Sequence, residues 1–245
     1  AARGRGMDVT CDVYPYSAGS TMLTTVLPPW VLEGGIGATL ERLRDSAVRS
    51  RVKRELRAEQ EDWDNLVHST GWQSVYVSAV SEKNRSLEGK HLLEISEAWG
   101  CDPEDAAFDL LLQEDGKVTI VYFHMSDDDV REVIRYDKSL IASDSLGCVT
   151  GKPHPRSYGS FPRVLAKYVR EDKVLTLEQA VRKMTSFPAQ RFKLGKRGLL
   201  VPGYHADIVV FDPDNIQDRA TYQNPVQYPE GITHVAVGGR LTLSH

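Results

Sequence analysis

The period of hydrophobic and polar positions changes several times along the chain, and each change predicts an element. Met7-Asp8-Val9-Thr10-Cys11-Asp12-Val13 alternates every second residue and reads as a strand. It runs into Tyr14-Pro15-Tyr16-Ser17-Ala18-Gly19-Ser20-Thr21, a post-strand segment in which Pro15 forces Tyr14 toward extended backbone. Leu27-Pro28-Pro29-Trp30 and Glu33-Gly34-Gly35 are breakers. Leu40, Leu43, Val48, Val52 and Leu56 then recur at helical spacing, with a possible break at Asp45-Ser46. This charged stretch, from Trp30 to Trp72, reads as an insertion, either a lid over a site or a solvated helical hairpin.

Ser74 to Ser78 predicts a short strand, and Glu88 to Trp99 an amphipathic helix closed by Gly100. Asp102-Pro103-Glu104-Asp105 predicts an N-cap, a first-turn proline and acids against the helix dipole. Val118 to Phe123 is a continuous apolar run and predicts a buried strand. Ser126 caps the next helix, and the acids Asp127, Asp128 and Asp129 in its first turn suit the dipole rather than a cation. Ser139-Leu140-Ile141-Ala142 is a strand that ends in Asp144, so residues 118–144 spell strand, helix, strand, a length suited to a parallel crossover. Phe161 to Val169 is helical, Thr176-Leu177-Glu178-Gln179 is a capping box, and Leu177, Ala180, Val181 and Met184 form that helix's buried face. From Gly198 onward the pattern is all β, with strands at Ala206 to Asp212, Ile232 to Val237 and Arg240 to Leu243, the last two joined by Gly238-Gly239.

These elements predict an α/β fold in four segments: a barrel strand and its loop (1–29), a lid-like insertion (30–72), further barrel strands and helices (73–197) and part of a small β-domain (198–245). A strand that ends in a carboxylate and opens into a loop is the usual place for chemistry in such folds, which draws attention to Asp144 and to Pro153-His154-Pro155-Arg156 beyond it. On its own, Asp144 reads more readily as a turn or N-cap aspartate.

Composition narrows the function. A net charge of −4 without a basic stripe argues against nucleic acid. No apolar run reaches the ~18 residues of a membrane span, and the N-terminus lacks a signal-peptide core, so the cytoplasm is the expected location. The first residue is Ala1 rather than Met, which suggests a start inside a longer product. Cys11, Cys101 and Cys148 form neither a disulfide framework nor a CxxC metal site. Cys148, four residues after Asp144, would need an activating base to act as a nucleophile.

The segments Asp12 to Thr21, Ser143-Asp144, Pro153-His154-Pro155-Arg156 with Gly159 to Leu165, Met184-Thr185-Ser186, and Gly203 to Pro213 occur in one order. In that order the chain resembles the N-acyl-D-amino-acid deacylases (D-aminoacylases) of the metal-dependent amidohydrolase superfamily, over nearly its whole length. The resemblance implies the C-terminal portion of a (β/α)8 barrel with an inserted lid, plus part of a small β-sandwich. It implies hydrolysis of N-acyl-D-amino acids to a carboxylate and a free D-amino acid. It makes Asp144 the proton shuttle between a zinc-bound water and the leaving amine, Arg156 the partner of the substrate carboxylate, and Tyr14 and Ser20 its helpers.

The family's metal ligands, a His-x-His pair, a cysteine and two further histidines, have no counterpart in this sequence, so zinc is expected to be held by residues of a missing N-terminal half. His154, between two prolines, reads as structural, and His124, at a strand end, as hydrogen-bonded filler. Two other readings stand beside the first. One is an amidohydrolase acting on another amide or a cyclic amide. The other is a non-catalytic fragment that self-associates or pairs with the missing half.

Overall fold

Strand β1 (Cys11–Val13) lies parallel to a strand far along the chain, Ser139–Ile141, with Cys11 opposite Ser139 and Val13 opposite Ile141. The computed structural model describes residues 3–145 and 150–244. In chain order, β1 is followed by β2 (Ala18–Met22), α1 (Pro29–Leu32), α2 (Gly35–Arg44), α3 (Ser46–Leu56), α4 (Leu66–Thr70), β3 (Val75–Ala79), α5 (Leu92–Trp99) and α6 (Pro103–Gln113). Then come β4 (Thr119–Phe123), α7 (Asp127–Arg135), β5 (Ser139–Ile141), α8 (Arg156–Arg163), α9 (Leu177–Met184), α10 (Ser186–Arg191), β6 (Ile208–Phe211), β7 (Ile232–Val237) and β8 (Arg240–Ser244).

The chain divides into two units, one of residues 17–125 and 149–154 and one of residues 1–16, 126–148 and 155–245. In the 17–125 unit, β4 is the centre of an antiparallel sheet ordered β2-β4-β3. Its core joins Leu23, Val31, Leu43, Val52 and Leu56 to Leu92, Ile95, Phe108, Leu110 and Ile120, so the charged helices of residues 30–72 bury their apolar stripe. Asp45 separates α2 from α3 as the sequence suggests, its Oδ1 accepting from the Ala47 N–H at 2.7 Å. Two expectations fail. Residues 118–123 do not pair in parallel with the strand that ends near Asp144. A continuous apolar run marks any strand covered on both faces, and here it marks the centre of an antiparallel sheet. The segment Tyr14 to Thr21 is not all loop, because Ala18–Met22 is a strand. Asp102 stands at the N-cap of α6, but its carboxylate pairs with Lys53 and Arg57 instead of capping.

In the other unit, Ser126 caps α7 through its Oγ, which accepts from the Asp129 N–H, and the Thr176–Gln179 capping box forms at the head of α9. Helix α8 contains Pro162, and the chain continues as a wider helix over Val164–Glu171, in which the Asp172 N–H reaches back five residues to Lys167 O. The buried stripe of α9 differs from the expected one. Val181 is exposed, and Lys183 turns inward beside Ala180. Strands β6, β7 and β8 form an antiparallel sheet in that order, with Gly238 and Gly239 at positive φ in the turn. Asp207 secures that turn, accepting from the Gly238 N–H at 2.7 Å.

Candidate active site

The strand β5 is held at both ends. At its start the Lys183 ammonium, 4% exposed, donates to Tyr136 O, to Ser139 O at 3.1 Å and to Ser139 Oγ at 2.9 Å. At its end the Ala142 N–H donates to Val13 O at 2.9 Å, extending the pairing with β1 past the last strand residue. Two residues further, the backbone turns sharply at Asp144, whose φ of 49° lies in the left-handed region that Asp tolerates better than most residues. That turn carries the carboxylate out of the sheet, and Asp144 is exposed.

Arg156 is the first residue of α8 and is buried. Its Nη1 donates to Asp144 Oδ2 at 2.7 Å. The next residues repeat the link, Ser145 Oγ donating to Ser157 Oγ at 3.0 Å. The Arg156 guanidinium also lies over the Tyr14 ring, 4.9 Å from its centroid, in cation–π range. Burial pushes the Tyr14 hydroxyl above its ordinary pKa, while Arg156 pulls it back, so it stays a neutral donor or acceptor. Three residues singled out in the sequence, Asp144, Arg156 and Tyr14, therefore come together. Ser20 belongs to the 17–125 unit, in β2 opposite Val121.

Other candidates take bland positions. His154 is buried, with Nε2 2.9 Å from Ala18 O. His124 stacks on Tyr122 with ring centroids 4.8 Å apart, and burial pushes its imidazole below the usual pKa. Cys148 lies outside the described residues.

The sequence reading missed a second arginine on α8. Arg163 follows Arg156 by seven residues, two helical turns, so both fall on one face. Its guanidinium lies over the Tyr16 ring at 4.8 Å, its Nε donates to Pro15 O at 2.8 Å and its Nη1 to Asp218 Oδ2 at 3.1 Å. The period-two tyrosines and the period-seven arginines were visible in the sequence as spacings, but nothing there set one against the other.

A model of the amidohydrolase family matches residues 19–243. The chain belongs to the amidohydrolase family. It is 37% identical to N-acyl-D-glutamate deacylase of Alcaligenes xylosoxydans xylosoxydans over 97% of this chain and 39% of that protein. It is 40% identical to the D-aminoacylase of the same organism over 62% of this chain and 30% of that protein. Among solved structures, N-acyl-D-glutamate deacylase from Bordetella bronchiseptica, complexed with zinc and a phosphonate mimic of the tetrahedral intermediate, superposes with a TM-score of 0.72. That match is 32% identical and covers 98% of this amidohydrolase chain and 40% of that one. A D-aminoacylase studied for its binuclear metal centre superposes equally well, with a TM-score of 0.72 at 31% identity over 99% of this chain and 41% of that one. The chain thus spans about two fifths of the length of these relatives. Its mixed α/β fold is that of part of an amidohydrolase barrel with an additional β domain.

A catalytic zinc needs about three protein ligands. Among the described residues, no group of three or more His, Cys, Asp or Glu side chains is placed to hold a metal ion. The described part of this amidohydrolase does not fit the metal that its relatives carry. Among the same residues, no helix is long and apolar enough to cross a membrane.

Proposed function

We propose that this chain belongs to an enzyme that hydrolyses the amide of N-acyl-D-amino acids, releasing a carboxylate and a free D-amino acid. The observation that carries the reading is the cluster of Asp144, Arg156 and Tyr14 at the end of a parallel strand. Arg156, buried and set at the head of a helix, receives the substrate α-carboxylate; a planar guanidinium pairs with a carboxylate through two parallel hydrogen bonds. The positive end of the α8 dipole adds to that preference for an anion. Tyr14 braces the guanidinium through its ring face and contributes a hydroxyl beside the same group.

Asp144 accepts a proton from the attacking water and passes it to the leaving nitrogen, as general base and then general acid. Its tie to Arg156 suits that task. In an α-amino acid the amide nitrogen is two bonds from the carboxylate carbon. A side chain on the guanidinium that holds the carboxylate therefore stands beside the leaving nitrogen. The names of the similar proteins, deacylases of N-acyl-D-glutamate and N-acyl-D-aspartate and a D-aminoacylase, support the substrate class.

The test is calorimetric titration of an N-acetyl-D-amino acid and of its methyl ester into the chain. The acid binds more tightly, and Arg156→Ala removes the difference, by on the order of 10- to 100-fold for a lost charge-assisted bond. Equal binding of acid and ester sinks the carboxylate assignment. In a turnover assay of the full-length enzyme that carries this chain, Asp144→Ala abolishes hydrolysis yet keeps the acid-over-ester preference; normal turnover by that variant refutes the proton role.

A further inference from the structure

We infer that Arg163 is a positioning residue for the carboxylate clamp, holding Tyr14 under Arg156 through the peptide between Pro15 and Tyr16. The inference rests on the proposed role of Arg156 and names a residue which that role does not itself require. Tyr14 and Tyr16 are two residues apart across a bend at Pro15, closer than the ~7 Å of extended chain. Arg156 and Arg163 are two turns apart on α8, ~10.5 Å by helix geometry. The two spacings differ, and the long arginine side chains close the gap. Each guanidinium sits over one ring, at 4.9 Å for Arg156 on Tyr14 and 4.8 Å for Arg163 on Tyr16.

The link between the two stacks is short and stiff. The Pro15–Tyr16 peptide is held at both its polar ends. Its oxygen accepts from Arg163 Nε at 2.8 Å, and its N–H donates to Tyr14 O at 3.0 Å. That second bond closes a three-residue γ-turn around Pro15, whose ring already fixes φ. With φ of Pro15 set by its ring and the peptide plane set by Arg163, few torsions remain through which Tyr14 can shift. Arg163 is itself anchored, since its Nη1 meets Asp218 Oδ2 at 3.1 Å and the Asp218 side chain is almost wholly buried. A guanidinium is needed for this role. One fork must donate to a carbonyl and to a carboxylate while its face covers a ring, and an ammonium offers no such plane.

The experiment has two arms. In the first, 3-fluorotyrosine is incorporated and the Tyr14 fluorine resonance is assigned with Tyr14→Phe. Arg163→Gln moves that resonance, and Arg163→Lys moves it less. Arg131→Ala, which breaks the Arg131–Asp172 ion pair of the same unit, leaves it in place. In the second arm, the acid-over-ester binding ratio falls about tenfold in Arg163→Gln, the effect of about 1.4 kcal/mol lost from a misplaced clamp. The ratio is unchanged in Arg131→Ala. If Arg163→Gln does not fold, Asp218→Asn serves in its place, loosening the arginine without removing it, and the same two readouts move in the same directions. An unmoved Tyr14 resonance in a folded Arg163 or Asp218 variant overturns the inference, whatever the ligand data show. A wild-type ratio of one, or a ratio insensitive to Arg156→Ala, defeats the function proposed for Arg156 instead, so the two failures are separable.

Discussion

Replacing Lys183 by Met tests how the strand that leads to Asp144 is held. The ammonium donates to three acceptors at the start of β5, in a site where it is 4% exposed. Two of them keep other bonds in the variant. Tyr136 O still accepts from the Ser139 N–H at 3.1 Å and from Ser139 Oγ at 2.9 Å, and that same bond satisfies the hydroxyl as a donor. What disappears is the donor at Ser139 O, worth about 1–3 kcal/mol for a buried acceptor left without it. The methionine thioether regains part of this by removing a buried charge. The net loss at neutral pH is about 1–2 kcal/mol, or about 2–8 °C in Tm for a chain of this size.

The pH dependence sharpens the test. Burial pulls the Lys183 ammonium below its ordinary pKa, with partial compensation from Asp137. Between the lowered folded value and the unfolded 10.5, the unfolded chain holds the proton and the folded chain does not. Stability contributed by Lys183 therefore rises with pH across that interval, and its desolvation cost is present in full below it. Urea titrations of both proteins at about pH 7 and about pH 10 read this directly, and the gap between wild type and Lys183→Met widens toward the alkaline side. A variant as stable as wild type at both pH values, or a gap that narrows, refutes the account.

Gly159→Ala places a Cβ 2.8 Å from the Tyr16 hydroxyl oxygen and 3.1 Å from Asp218 Cβ. The helix gains up to about 1 kcal/mol from alanine, but crowding in this buried corner outweighs it, for a net loss of about 1–2 kcal/mol by thermal melting. Glu114→Gln, in the 17–125 unit, sets an amide against three donors, the Ser81 N–H at 2.6 Å, Ser81 Oγ at 2.8 Å and Asn84 Nδ2 at 2.5 Å. It costs about 1–3 kcal/mol at neutral pH. Burial raises the Glu114 pKa, but these donors outweigh it and hold the carboxylate below its ordinary value, so its contribution is present above about pH 4.5 and is lost as pH falls through the folded value. Denaturant titrations at neutral and acid pH should show the difference from wild type shrinking with acid.

Part of the candidate site was legible in the sequence, because its parts announce themselves locally. An apolar run ending in Asp144, a proline that stretches Tyr14, and an arginine after Pro-His-Pro are short-range patterns. The structure gathers Asp144, Arg156 and Tyr14 as those patterns invite. What the sequence concealed is non-local. The run at 118–123 states that a strand is covered on both faces and says nothing about the direction of its neighbours, so the parallel pairing expected with 139–141 failed while both strands themselves held. Lys183 was invisible for a related reason. A lysine at the buried position of an amphipathic helix looks like a solvated residue until carbonyls from another element are found at its tip. Arg163 and Asp218, 55 residues apart, are joined only by folding.

The Asp144–Arg156 pair is asymmetric in a way that bears on its proposed roles. The arginine side chain is 3% exposed and the aspartate side chain 59%. A group that binds an anion gains from being fixed beforehand, because little freedom is then lost when the ligand arrives. Burial, the stacked Tyr14 and the end of α8 provide that for Arg156. A group that takes a proton from water and gives it to a departing nitrogen must meet two partners in turn, so it needs solvent access and room to swing. A short side chain on a left-handed turn, tethered at one oxygen and otherwise open, has both. A guanidinium carries five donors. Under the proposed roles, Asp144 keeps its hold while the substrate takes other donors, and the same cation sets the distance between the bound carboxylate and the reacting base.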